Sequence, residues 1–162
     1  MEYRYLFKAK RTDNGEWVTG SLITCEDGTC KIATRYLDDS ANIAILICVY
    51  DVDGDTICQC TGLKDKNGKL IWENDIIKLH QFLFDGSEYE KEILISIEYM
   101  SEMMCFGANL IEAKEIKRYM GYKDEDTEKV VVPFNDFYGL HEESFEVIGN
   151  IFDNKELLES EG

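Results

Sequence analysis

Asp65, Glu73 and Asp75 stand close together in the middle of the chain, and carboxylates so grouped can hold a divalent cation or divide into a general acid and a general base. Neither a nucleophile nor a basic clamp for a substrate can be named beside them. The same residues also have a structural explanation. Asp65-Lys66-Asn67-Gly68 has the composition of a type I turn closed by a glycine bulge, in which the Asp65 carboxylate accepts hydrogen bonds from turn amides and Leu70, Ile71 and Trp72 return as a strand. The turn accounts for every residue, and a metal-dependent enzyme built on the three carboxylates is the alternative.

Other groupings weigh the same way. Asp51, Asp53 and Asp55 have the first spacings of a calcium loop, but Thr56 and Gly62 occupy the places of its glycine and its bidentate glutamate, so an acidic hairpin turn around Asp53-Gly54 is expected. Cys25 and Cys30 bracket a two-residue turn and are expected to face each other, while Cys58 and Cys60 share one strand face. Cys58-x-Cys60 misses the C-x(2–4)-C spacing of structural zinc, and Cys25-x4-Cys30 stands at its upper limit, so a zinc site is not expected. His80 and His141 are far apart in sequence, and no serine or cysteine lies in a strained nucleophile motif. Tyr3, Tyr5, Phe7 and Trp17 alternate beside Arg4, Lys8, Lys10 and Arg11, a pattern that suits a base-stacking face or, more simply, a core face backed by a charged one. Phe134, Phe137, Tyr138 and Gly139-Leu140-His141 form an aromatic stretch among acids, the composition of a contact surface.

These groupings sit in a markedly acidic chain: 33 Asp and Glu against 17 Lys and Arg, a formal charge of −16. Direct binding to nucleic acid or to an anionic membrane is therefore not expected, because phosphates are met by clustered cations. With 44% hydrophobic residues and one proline among 162 residues, the chain can bury a core and is not a disordered acidic tail. The acidity belongs to residues 37–162, since residues 1–36 carry six basic and five acidic groups. No charged stretch leads into an apolar segment at the start, and the longest apolar run, residues 43–50, is too short to span a bilayer. A cytoplasmic protein with six reduced thiols is expected.

The elements that must position these residues are mostly strands. Asn14-Gly15, Asp27-Gly28, Asp53-Gly54, Asn67-Gly68 and Asp85-Gly86 supply the positive φ of tight hairpins and predict an antiparallel meander. Strands are predicted at 5–10, 16–24, 29–36, 43–50, 56–61, 70–72, 75–82, 93–99, 130–134 and 146–152. Asn109 with Glu112 predicts a capping box for a helix ending at Gly121, and Asp153 with Glu156 predicts another for a short helix over 155–159. The expected organisation is a β-rich hairpin core over 1–100, a helix and acidic excursion over 101–143, and a final strand and short helix over 144–162 packing back on the core as one domain.

Three ordered motifs identify a relationship. Phe7-Lys8-Ala9-Lys10-Arg11 through Gly15, Glu16, Trp17 and Val18 to Gly20; Thr61-Gly62-Leu63-Lys64-Asp65 through Asn67-Gly68-Lys69 to Asp75-Ile76-Ile77; and Val147-Ile148-Gly149-Asn150-Ile151 to Leu157-Leu158 resemble the YopX family of phage and prophage proteins. The resemblance covers roughly 60 residues by these motifs. It implies a mainly β, pseudo-barrel fold, encoded by a bacteriophage or prophage and acting in the bacterial cytoplasm; with the turns and caps above, the expected fold is a pseudo-barrel of antiparallel hairpins with one or two short helices in the carboxyl-terminal part. It brings no catalytic activity, no metal and no cofactor. The motif residues expected to hold structural turns, with function a further possibility, are Gly15, Trp17, Gly20, Gly62, Leu63, Asp65, Gly68, Asp75, Gly149 and Asn150. Two positions depart from the family pattern. Asn74 stands in place of a glycine and Lys155 in place of a proline, and each keeps the local conformation, since Asn tolerates left-handed geometry and a first helical turn accepts Lys.

The leading expectation is a non-catalytic protein-binding module, a homo-oligomer that meets an unknown host or phage protein. Its sharper form is an acidic inhibitor of a host nucleic-acid-binding protein. The alternatives are the metal-dependent enzyme and a single-stranded nucleic-acid binder using the amino-terminal basic and aromatic hairpin.

Overall fold

A computed structural model describes residues 3–37, 45–79, 93–111, 131–133 and 145–158. The chain divides into two compact units, Met1–Gly62 and Leu63–Gly162, both built of antiparallel strands.

The first unit opens with a 3-10 turn, Tyr3–Tyr5, followed by β1 (Phe7–Lys10), β2 (Trp17–Thr24), β3 (Cys30–Leu37), β4 (Ile45–Val52), a 3-10 turn at Gly54–Thr56, and β5 (Cys58–Lys64), whose last residues enter the second unit. Their order is β4-β3-β2-β1-β5. Gly15 at φ 74° and Gly28 at φ 85° close the first two hairpins in the left-handed conformation that the Asn-Gly and Asp-Gly pairs predict. Asp53-Gly54 departs from expectation. It joins β4 to β5, which are not neighbours, and Asp53 caps the 3-10 turn by accepting from the Asp55 amide.

β2 changes partner along its length. Residues 17–20 face β1 and residues 21–24 face β3, and the bend falls at Gly20, where a Cβ would lie 2.1 Å from the Ala33 carbonyl oxygen. Only glycine admits that approach. The bend curls the sheet until the end of β1 meets the end of β4. Arg11 bridges Val52, the Thr12 amide donates to the Asp51 carbonyl at 3.1 Å, and the Asp53 amide donates to the Lys10 carbonyl at 2.8 Å. Ala9, Val18, Ile32 and Val52 are buried inside the curl, with Phe7, Leu22, Tyr50 and Ile57 packed against them.

The second unit contains β6 (Leu70–Trp72), β7 (Asp75–Leu79), β8 (Ile93–Met100), β9 (Cys105–Leu110), β10 (Val131–Pro133), β11 (Phe145–Asn150) and a 3-10 turn at Lys155–Leu158. Its five-stranded sheet runs β10-β9-β8-β7-β11. Ile71, Ile77, Leu79, Ile93, Ile95, Ile97, Ala108, Leu110 and Phe145 form the core, the product of every second residue of β7, β8 and β9 pointing inward. Pro133 lies on the edge strand, where the missing amide costs no ladder bond.

One element was misread from sequence. Asn109 caps no helix; it lies in β9 opposite Ser96 and Val131, and its amide donates to Glu98 Oε1 at 3.0 Å. Phe106, Ala108 and Leu110 alternate with period two, and the hairpin from β8 turns through Met103 and Met104 without a glycine, Met104 itself taking φ 52°. The remainder of the expected helix, residues 112–120, lies outside the described residues, as do residues 134–144 and the Asp85-Gly86 turn. The carboxyl-terminal helix is a single 3-10 turn.

Candidate functional site

Of the ten motif residues, Gly15, Trp17, Gly20 and Gly62 lie in the first unit; Leu63, Asp65, Gly68, Asp75, Gly149 and Asn150 lie in the second, where the middle and final motifs meet.

Asp65 is at the centre of that meeting. It follows β5, is 4% exposed, and turns Oδ1 to the Asn67 and Lys69 amides at 2.9 Å each and Oδ2 to the Val147 amide of β11 at 3.1 Å. Gly68 at φ 78° completes the turn, and its amide donates to the Asp65 carbonyl at 2.9 Å. The Lys66 amide donates to the Phe145 carbonyl at 3.0 Å, and Lys66 Nζ meets Glu146 Oε2 at 2.6 Å. Burial opposes ionisation of Asp65, but the Val147, Lys69 and Asn67 amides outweigh it and hold the carboxyl below its ordinary 3.8. The group is an ionised staple between a hairpin turn and a distant strand.

Asp75 works on the next turn. Its Oδ2 accepts from the Trp72 amide at 2.9 Å, and it is 2% exposed. Between them Asn74 takes φ 65°, the left-handed geometry that glycine adopts most readily and Asn tolerates. Its amide donates to the Ile97 carbonyl of β8 at 2.8 Å, and its carbonyl accepts from Ile151 at 3.0 Å, just past β11. Sequence reasoning treated Asn74 as a tolerated departure; it is a backbone clip joining two strands.

The final motif folds on itself. β11 shifts register against β7 between Val147 and Gly149, and Asn150 Oδ1 then accepts from the Phe152 and Asp153 amides at 3.0 Å each. Asn154 Oδ1 reaches back to the Asn150 amide at 3.2 Å across the bare Cα of Gly149, where a Cβ would stand 2.4 Å from it. Asn154 was not singled out from sequence, since it stands beyond Asp153 and away from the glycine whose bare Cα it crosses. The Asp153 carboxylate, expected to cap a helix, accepts from Asn150 Nδ2.

Among the described residues, no group of three or more His, Cys, Asp or Glu side chains is gathered closely enough to hold a metal ion, so Asp65, Glu73 and Asp75 do not converge as a cation site. Cys25 does not face Cys30: Thr24 pairs with Cys30, and the Cys25 amide bonds to the Thr29 carbonyl, which puts the two thiols one residue out of step. Cys58 and Cys60 are both buried on β5. His80, His141 and the aromatic stretch at 134–141 lie outside the described residues.

The amino-terminal aromatic face is also rearranged. Lys10 pairs with Trp17 and Phe7 with Gly20, so Phe7 enters the core while Trp17 points to the opposite face. There the Lys8 and Lys10 ammonium groups stand 5.0 and 5.5 Å from the Trp17 ring centroid. A ring covered by its own lysines offers little stacking surface to a base.

A family model described as YopX protein matches residues 6–159. Among solved structures the chain is similar to protein EF1440 from Enterococcus faecalis, at 25% identity with a TM-score of 0.48, over 94% of this chain and 96% of that one. No curated protein matches the chain.

Proposed function

The chain belongs to the YopX family, and from that membership we propose that it is a non-catalytic protein-binding module of a bacteriophage or prophage, working in the bacterial cytoplasm. The observation that carries this reading is the Asp65 carboxylate. It is the most conspicuous candidate for chemistry, and its two oxygens receive three backbone amides, an arrangement that holds a fold and leaves a general base or metal ligand poorly placed. Among the described residues no helix is long and apolar enough to cross a membrane, which is compatible with this location.

A sharper version rests on charge. The segment 63–162 carries 23 acidic and 11 basic residues, an excess of carboxylates suited to a basic partner such as a nucleic-acid-binding protein of the host. Affinity capture of the tagged protein from bacterial lysate at low and at high salt tests it. A basic protein retained in stoichiometric amount at low salt and released at high salt is the expected result; recovery of no basic partner at low salt removes the inhibitor version. Calorimetric titration with Mg²⁺, Mn²⁺ and Ca²⁺ tests the wider reading, since binding tighter than millimolar that is lost in Asp75→Asn would restore the metal-dependent enzyme.

A further inference from the structure

β4 is the outermost strand of the first unit. From Ile45 to Tyr50 it reads Ile-Leu-Ile-Cys-Val-Tyr, six residues without a charge, in a chain that is 31% charged. The β3–β4 ladder is regular from Cys30–Val52 to Leu37–Ile45, with no register shift. Proteins ordinarily blunt such an edge with a lysine, a proline or a bulge, and this stretch has none of the three.

The direction of its backbone groups can be read from the strand closure. The Thr12 amide donates to the Asp51 carbonyl from the side away from β3, so Asp51 directs its backbone outward, and alternation gives Val49 and Ile47 the same direction. Thr12 covers Asp51; among the described residues no strand pairs with Val49 or Ile47 on that side. Val49 and Ile47 are 51% and 59% exposed. The edge therefore presents outward amides and carbonyls together with two bare aliphatic side chains, and only another strand can match both.

Charge selects which strand. A second copy of a protein with net charge −16 can approach only where carboxylates are few. On β3, beside this edge, Ala33 and Arg35 stand opposite Val49 and Ile47, and Asp51, the acid on β4 itself, is paired with Lys31. An antiparallel copy placed about a two-fold axis at Ile47 sets Ile47 against itself and Val49 against Ile45, apolar against apolar. The Thr12 contact at Asp51 excludes an axis at Val49, because Ile47 would then need Asp51.

We propose that the outer edge of β4 is a self-association site, at which two copies of this chain pair β4 to β4 antiparallel and continue one sheet through the two-fold axis. The inference goes beyond the binding-module reading and stands apart from it, since an enzyme could pair in the same way.

Light scattering and sedimentation of the full chain at several concentrations provide the test, with Val49→Pro and Val49→Lys as the variants. The Val49 amide points away from β3, so proline there removes no ladder bond, and lysine leaves the backbone untouched should proline fail to fold. The expected result is twice the chain mass for the wild type and one chain mass for each folded variant. Ile47 and Val49 amides should exchange hydrogen slowly in the dimer and fast in Val49→Lys. A wild type that remains monomeric at tens of micromolar, which would leave the edge to some other strand, overturns the proposal, and so does a Val49→Lys protein that remains a dimer.

Discussion

At the scale of single residues, the side chains that draw attention as chemistry are occupied by the backbone. Asp65 illustrates why the two roles are hard to separate in sequence: a carboxylate that caps a turn and one that binds a cation share the same neighbours, Asn and Gly, because both sit in tight loops. What separates them is the Val147 amide, which comes from 82 positions further along the chain. Asp65→Asn is expected to destabilise the protein by about 2 kcal/mol at neutral pH, since hydrogen bonds to a charged group are stronger than those to an amide oxygen and one oxygen is lost as an acceptor. The folded carboxyl titrates below 3.8, so its contribution is full above that value and disappears as the pH falls through the lower folded one. The gap between wild type and variant, measured by urea unfolding, should accordingly narrow as the pH drops below about 4. A gap independent of pH would show that the ionised form is not what the amides hold.

At the scale of elements, the Asn-Gly and Asp-Gly hairpins at 14–15, 27–28 and 67–68 were legible because a local dipeptide fixes a local φ. The β8–β9 hairpin was not, because Ser101-Glu102-Met103-Met104 carries no glycine, proline, asparagine or aspartate and the polar Asn109 imitates a helix cap from inside a strand. Its real partners, Ser96 and Glu98, lie on the neighbouring strand and are invisible to a pattern read along the chain. Gly20 belongs to this scale too, since it lets β2 change from β1 to β3. Gly20→Ala is expected to cost on the order of 3 kcal/mol, because the new methyl must displace the Ala33 carbonyl and the bend with it. Thermal unfolding measures it; Gly15→Ala, at a turn with open space around the Cα and only the left-handed φ to oppose it, should cost about 1–2 kcal/mol. Equal losses at the two positions would mean that close approach is not what Gly20 provides.

At the scale of the molecule, the net charge of −16 opposes compaction by self-repulsion, which salt screens. Raising NaCl from about 10 to about 150 mM, where the Debye length falls from about 30 to about 8 Å, should raise the melting midpoint by a few degrees. A fall instead would mean that surface pairs such as Lys66–Glu146 and Lys31–Asp51 outweigh the general repulsion. The amino-acid sequence by itself determined the strand-rich class, the positions of most strands to within a few residues, the charge and the family, because period-two patterning, glycine dipeptides and ordered motifs are local properties of the chain. Only the tertiary structure decided that Asp65 binds β11, that Asn74 ties β8 to the end of β11, that Phe7 and Trp17 face opposite ways, and that β4 has no strand beside Ile47 and Val49 among the described residues. Each depends on which distant strand lies alongside, and strand pairing is set by burial and register across the whole sheet, which no stretch of sequence contains.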